Sequence, residues 1–528
     1  MRRLITFIIF LVAILALFPL YTRFKATAAP IPPGVYLGGL ALSNLKAPDE
    51  IRQHLERVYE DPIEVDFADE QLVLRPEEVD FHLNVEEMVA EAEQYLQGPT
   101  FIDIALRAAL GFSQQRRDVP IRFTLNQTKL RAWLMEAAAE QNRAPIGAHA
   151  LPPLARRAAI SSTLTSTPTT PVDVAQTAWR WAPGIPGYTL DVEQSVAPVI
   201  AALASQQNRV ARLALLEIAP PQPSMGDLTQ VLSRTLSTFP GFAAIYVRDL
   251  QNDTEANVDA DVAFSGMATL KLALATAMLA QGSGANPESG QRIDLALYEA
   301  DNQAANQLLR SLGKGDQATG AQNFTDFMRG LGFVNTYLQS GFDAPPLPPL
   351  ATPANQRQDW NTKPDPNLQT TPADLGRLLA AIYECTQGKG VLIKTDPTHF
   401  TPDQCRYLLF YLSHDQLQAL IWAGLPQPQQ TWIVHKHARA AETHGDVALI
   451  WGPTGPYVLS IFLYQANWLD LKLSNDTMQT VSRLTWDFFA LQKTQGQQSA
   501  GAPPDLKPPP GYIAIDNYAP TIANPTGQ

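Results

Sequence analysis

Hydrophobic and polar positions change their spacing several times along the 528 residues, and these changes divide the chain. An almost unbroken apolar run opens it, from Leu4 to Tyr21, eighteen residues and near the lower limit for a membrane-crossing helix. Further on, Ile63, Val65 and Phe67 alternate with acidic residues, the period of a half-buried strand. A second strand is expected at 71–74, with helices at 47–59 and 85–96. The stretch Ala182-Pro183-Gly184-Ile185-Pro186-Gly187 reads as a turn into a strand, followed by a helix near 196–205.

A proline-rich joint at Ala219-Pro220-Pro221-Gln222-Pro223 separates this first region, 29–220, from a second, 226–492. There the pattern gives a helix at 228–237, a strand at 242–249, a long helical stretch, strands within 431–464 and a terminal helix near 477–491. Helices inserted between the early and late strands of one antiparallel sheet define an α+β fold with helices on both faces. A smaller N-terminal α+β module and one transmembrane helix complete the expectation. The tail, 493–528, is rich in Gly, Pro, Ser and Gln and is expected to be disordered.

Charge narrows the function. Lys and Arg total 39 against 51 Asp and Glu, a net charge of −12, with no basic stripe, which excludes nucleic acid as a partner. Arg2 and Arg3 ahead of the apolar run put the N-terminus in the cytoplasm by the positive-inside rule. The expectation is a single-pass cell-membrane protein anchored by residues 1–25, its bulk extracytoplasmic. A cleaved signal peptide with Ala26-Thr27-Ala28 as its site competes, against the charges of Arg23 and Lys25. The only cysteines, Cys385 and Cys405, lie in the exported part, where a disulfide is permitted. Closing about 20 residues would contribute about 3 kcal/mol; two buried free thiols are the alternative.

Four segments carry candidate chemistry, in order. Phe264-Ser265-Gly266-Met267-Ala268-Thr269-Leu270-Lys271 sets Lys271 one helical turn after Ala268. Tyr298-Glu299-Ala300-Asp301-Asn302 follows, with Asp301 suited to cap a helix. Gln369-Thr370-Thr371-Pro372-Ala373-Asp374 is a helix entry with Thr371 as cap and Pro372 in the first turn. Trp432-Ile433-Val434-His435-Lys436-His437-Ala438 is a strand, with Gly445–Ile450 and Tyr457–Phe462 behind it.

Together these resemble the motifs of serine β-lactamases and penicillin-binding proteins, class A β-lactamases above all. The resemblance implies the antiparallel sheet and helices of that superfamily and a hydrolase using Ser-x-x-Lys, Ser-Asp-Asn and Lys-Thr-Gly elements. Here Ala268 stands at the nucleophile position and Ala300 at the proton-relay position, while Lys271, Asn302 and Lys436 remain. His437 replaces the hydroxyl that binds substrate carboxylate, and Ala438 replaces the glycine. Residues 335–368 hold no glutamate that could activate a deacylating water. Neither Thr269, on another helical face, nor Ser265, six residues back, reproduces the serine–lysine spacing.

The expected function is a non-catalytic, β-lactamase-like protein of the cell envelope that binds peptidoglycan or an envelope protein. The alternative is an active β-lactamase or D-alanyl-D-alanine peptidase with an unrecognised nucleophile. Residues 29–220 resemble the peptidoglycan-binding domain found beside VanW-type domains, with a plain spacer as the competing account. No cofactor or metal is expected. A zinc site at His435, His437 and His444 is the weaker reading of the strand, because alternation turns both strand histidines away from Lys436.

Overall fold

The computed structural model describes residues 35–42, 48–94, 117–153, 179–282, 286–415, 417–493 and 501–512, with 11–12, 18–19 and 21–22 near the start. The chain forms two compact units. One comprises Met1–Ile146 and Ile185–Pro220, the other Gly147–Gly184 and Pro221–Gln528.

The first unit is α+β. Val35–Leu37 pairs parallel with Arg117–Val119, and Val210–Arg212 pairs parallel with Ile63–Phe67, which turns back antiparallel onto Glu70–Leu74. The alternation at Ile63, Val65 and Phe67 buries all three completely. Helices Pro48–Glu60, Gln127–Gln141 and Val192–Leu203 contribute Leu55, Leu134 and Val199 to the same core.

The second unit is built on five antiparallel strands: β1 (Phe242–Asp249), β2 (Thr254–Val258), β3 (Ile433–Arg439), β4 (Thr443–Trp451) and β5 (Pro456–Tyr464). Their order is β2-β1-β5-β4-β3. Helices cover both faces, and the period of two sorts the side chains between them. Phe242, Ala244, Val447, Leu449, Val458 and Phe462 face a core shared with the helix Pro372–Thr386. Ala243, Ile245, Ala448, Leu459 and Ile461 face the helices Met225–Leu236 and Leu471–Gln492. Burial on both sides explains why these strands read as continuous apolar runs. Gly376 lets the helix Pro372–Thr386 lie close on the sheet, since a Cβ there would come within 2.2 Å of the Tyr246 ring. Cys385 and Cys405 form a disulfide with Cα atoms 5.9 Å apart, tying that helix to Pro402–Leu412.

Three features depart from the sequence reading. The hairpin His149–Leu151 with Arg180–Ala182 belongs to the second unit: the Trp181 indole donates to the Leu484 carbonyl at 3.0 Å and its ring packs on Phe488. Residues 501–512 of the tail run against the same unit, with Leu506 and Tyr512 packed on its core.

The third correction is the anchor. Among the described residues no helix is long and apolar enough to cross a membrane. Most of Leu4–Tyr21 lies outside the described residues. Eighteen apolar residues stand at the short end of what a bilayer core of about 30 Å requires. The transmembrane helix, the membrane as partner, the single-pass localisation and the envelope function built on them are withdrawn.

Candidate functional site

Lys271 lies in the first turn of the helix Leu270–Leu279, behind a short turn Met267–Thr269 that carries Ala268. The helix is buried on every side, and the lysine meets its acceptors inside the fold. Its Nζ donates to the Ala300 carbonyl and, at 2.6 Å, to Asn302 Oδ1. It also stands 5.0 Å from the centre of the Phe342 ring, in cation–π range. Burial and the charge of Lys436 push the amine down to about 8, against the opposing pull of Asp301 and Asp343.

Asn302 opens the helix Asn302–Leu312, capped by Asp301, whose side chain accepts from the Ala304 amide at 2.6 Å. With its oxygen on Lys271, the Asn302 amide donates to Asp343 Oδ2 at 2.6 Å. Asn306, one turn on, bonds both ways with the Phe342 backbone, at 2.8 and 3.0 Å. The loop bearing Phe342 and Asp343 is thereby pinned to the lysine.

Ala300, Met267 and Asp343 all take left-handed backbone, with φ of 50°, 51° and 63°. Each such non-glycine residue costs about 1–3 kcal/mol. Three of them around one buried amine form a strained constellation that the surrounding packing must hold.

Lys436 comes from β3, which packs against the turn carrying Ala268. It is completely buried. Its Nζ donates to Asp415 Oδ2 at 3.0 Å and to the His437 carbonyl at 3.1 Å. The same carboxylate oxygen meets His437 Nδ1 at 2.8 Å. Burial works to raise the Asp415 carboxyl, but His435, Lys436 and His437 together hold it far below the ordinary carboxylate range.

The structure thus draws Ala268, Lys271, Ala300, Asn302 and Lys436 toward one place. His437 joins them through Asp415 rather than turning away. His435 goes under the sheet to Asp446 at 3.0 Å, and His444 to Ser474 at 2.6 Å. Each histidine has its own partner, and among the described residues no cluster of three metal-ligating side chains exists. Asp415 and Asp343 went unnoticed in the sequence. The one signal for Asp415 was indirect: a lysine on a buried strand needs a counter-charge.

The neighbouring hydroxyls are committed. Ser265 Oγ accepts from the Asp365 amide at 2.8 Å, and fully buried Thr269 donates to the Gly266 carbonyl. Where a water-activating glutamate would be sought, Asn and Gln side chains pin a proline-rich loop. Asn367 accepts from the Leu347 amide at 2.9 Å, and Gln339 donates to the Pro348 and Pro366 carbonyls at 2.8 and 2.7 Å.

Residues 283–489 match the Beta-lactamase enzyme family. The second unit therefore carries a β-lactamase-like domain. The match includes Ala300, Asn302 and Lys436 and begins after Ala268 and Lys271. Among solved structures, a β-lactamase from Desulfarculus baarsii DSM 2075 is 21% identical, with 51% of this chain and 98% of that one covered and a TM-score of 0.40. A β-lactamase from Streptosporangium roseum is 18% identical over 50% and 99%, with a TM-score of 0.40. A structure titled PBP-A is 20% identical over 51% and 98%, with a TM-score of 0.40. No curated protein matches the chain.

Proposed function

We propose that the β-lactamase-like domain has exchanged hydrolysis for a non-covalent role. One observation carries this reading: the residue one turn before Lys271 is Ala268, and the hydroxyls flanking Ala268 in sequence, Ser265 and Thr269, are bound to backbone. A methyl group cannot attack a carbonyl. The relay position is Ala300, whose carbonyl accepts a hydrogen bond from Lys271 instead of a side chain passing a proton on. Lys436 is already paired with Asp415, so its charge is spent inside the fold.

Groups that act as a catalytic unit are strongly non-additive, so restoring one recovers little turnover. Ala268→Ser returns a hydroxyl beside an amine pushed down to about 8, a competent base near neutral pH. The variant should acylate slowly and stall as an acyl-enzyme.

Mass spectrometry of the intact protein after incubation with penicillin tests both statements. Unmodified wild type and a persistent adduct on Ala268→Ser support the reading. A covalent adduct on the wild type overturns it in favour of hydrolysis through another nucleophile.

A further inference from the structure

Residues 501–512 end in a specific bond. The Tyr512 hydroxyl donates to Asp294 Oδ2 at 2.7 Å, and the other oxygen of that carboxylate meets His414 Nδ1 at 2.6 Å. Both Asp294 and His414 side chains are only 1% exposed. The Tyr512 ring stands edge-on to Phe410, centroids 5.2 Å apart, and lies 6.1 Å from both Tyr411 and His414. Leu506 packs on the same core. Burial and the bond to Asp294 raise the Tyr512 phenol, so the hydroxyl stays a donor through the neutral range.

The residue after His414 is Asp415, the carboxylate that closes over Lys436 and His437. Both sit in the turn that follows the helix Pro402–Leu412, where the His414 amide bonds to the Tyr411 carbonyl and the Asp415 amide to the Leu412 carbonyl, each at 3.2 Å. Two side chains tie this turn to the rest of the domain. One reaches to Asp294, the other to Lys436.

We propose that residues 501–512 form an intramolecular strap which, through Asp294 and His414, holds Asp415 closed over Lys436 and His437. Tyr512 and His414 are then positioning residues for a clamp they do not touch. When the strap lifts, Asp294 loses the donor on one buried oxygen and the aromatic wall behind His414 opens. The turn gains freedom and Asp415 moves off Lys436. The strap makes access to Lys436 conditional on the C-terminal segment, whether or not the domain catalyses anything.

Lysine acetylation followed by mass spectrometry reads this directly, because Lys271 and Lys436 are both completely buried and serve as paired reporters. The full chain is compared as wild type, Tyr512→Phe and Tyr512→Ala under N-hydroxysuccinimidyl acetate, with circular dichroism to establish folding. Tyr512→Ala should raise the Lys436 labelling rate about tenfold or more, and Tyr512→Phe should raise it less, with Lys271 unchanged in both. If Tyr512→Ala does not fold, Tyr512→Phe decides alone. Unchanged Lys436 labelling in the folded variants overturns the proposal. So does an equal rise at Lys271 and Lys436, which would mean general loosening. Penicillin acylation is a separate readout, so failure here leaves the catalytic reading standing and the reverse also holds.

Discussion

Lys271 and Lys436 are both completely buried in one β-lactamase-like domain, yet they are accommodated by opposite means. The helix side meets its lysine with dipoles, the Ala300 carbonyl and the Asn302 amide oxygen. The strand side meets its lysine with a full negative charge, Asp415. Dipoles do not repay the desolvation of an ammonium, so Lys271 falls to about 8. Lys436 instead faces a carboxylate, and the positive groups around Asp415 stabilise its ionised form against burial. A buried lysine can therefore be a poised base or a paired charge.

The sharpest break of this contrast is Asp415→Ala. It leaves Lys436 buried and unpaired and should cost about 3–5 kcal/mol in urea unfolding. A loss below about 1 kcal/mol would show that Lys436 does not depend on the carboxylate. The sign with pH follows from the depressed carboxyl. The contribution of Asp415 is complete above its ordinary value of 3.8 and is lost as pH falls below it.

Lys271 should behave in the reverse sense. Its amine has an ordinary value of 10.5 and about 8 in the fold, so between these the unfolded chain holds the extra proton. Wild-type stability should rise with pH across that window, by about 3 kcal/mol at most. Lys271→Met should flatten the rise, as measured by thermal melts at matched ionic strength.

Asp374 sharpens the comparison from the acid side. It accepts from the Asn335 amide at 3.0 Å and the Thr336 hydroxyl at 2.9 Å. Burial raises it to about 6, despite these bonds and the charge of Arg377. Its titration by carboxyl NMR should fall near pH 6. Stability should decline as pH rises from 3.8 through that value, the opposite of Asp415. The smallest effect belongs to Lys472, paired with Asp476 on the surface, where Lys472→Ala should leave the urea unfolding midpoint unchanged.

What could be read from the sequence was local. Thr371 and Pro372 announce their helix, and the apolar runs of β1, β4 and β5 announce strands buried on both faces. Their order suffices for a β-lactamase-like domain. The terminal helix starts at Leu471 rather than near 477, because its cap, Asp470, is a single residue among many polar ones. The described part of the tail has a composition that conceals two apolar anchors, Leu506 and Tyr512. At the other end of the chain, an apolar run reports composition and not the length of a helix. Asp415 had no motif because its role is set by where a turn falls in space. Nothing in His149–Leu151 or Arg180–Ala182 signals which core the hairpin joins, since its partner lies far along the chain.

That partner sets a clock. The Trp181 indole bonds to a carbonyl 303 positions later in the sequence. At a translation rate of roughly 5–20 residues per second, Trp181 leaves the ribosome on the order of 15–60 s before Leu484 exists to receive it. Throughout that interval the hairpin must wait with its apolar side uncovered. During synthesis, the second unit has its earliest-made piece in place only when its last helix arrives.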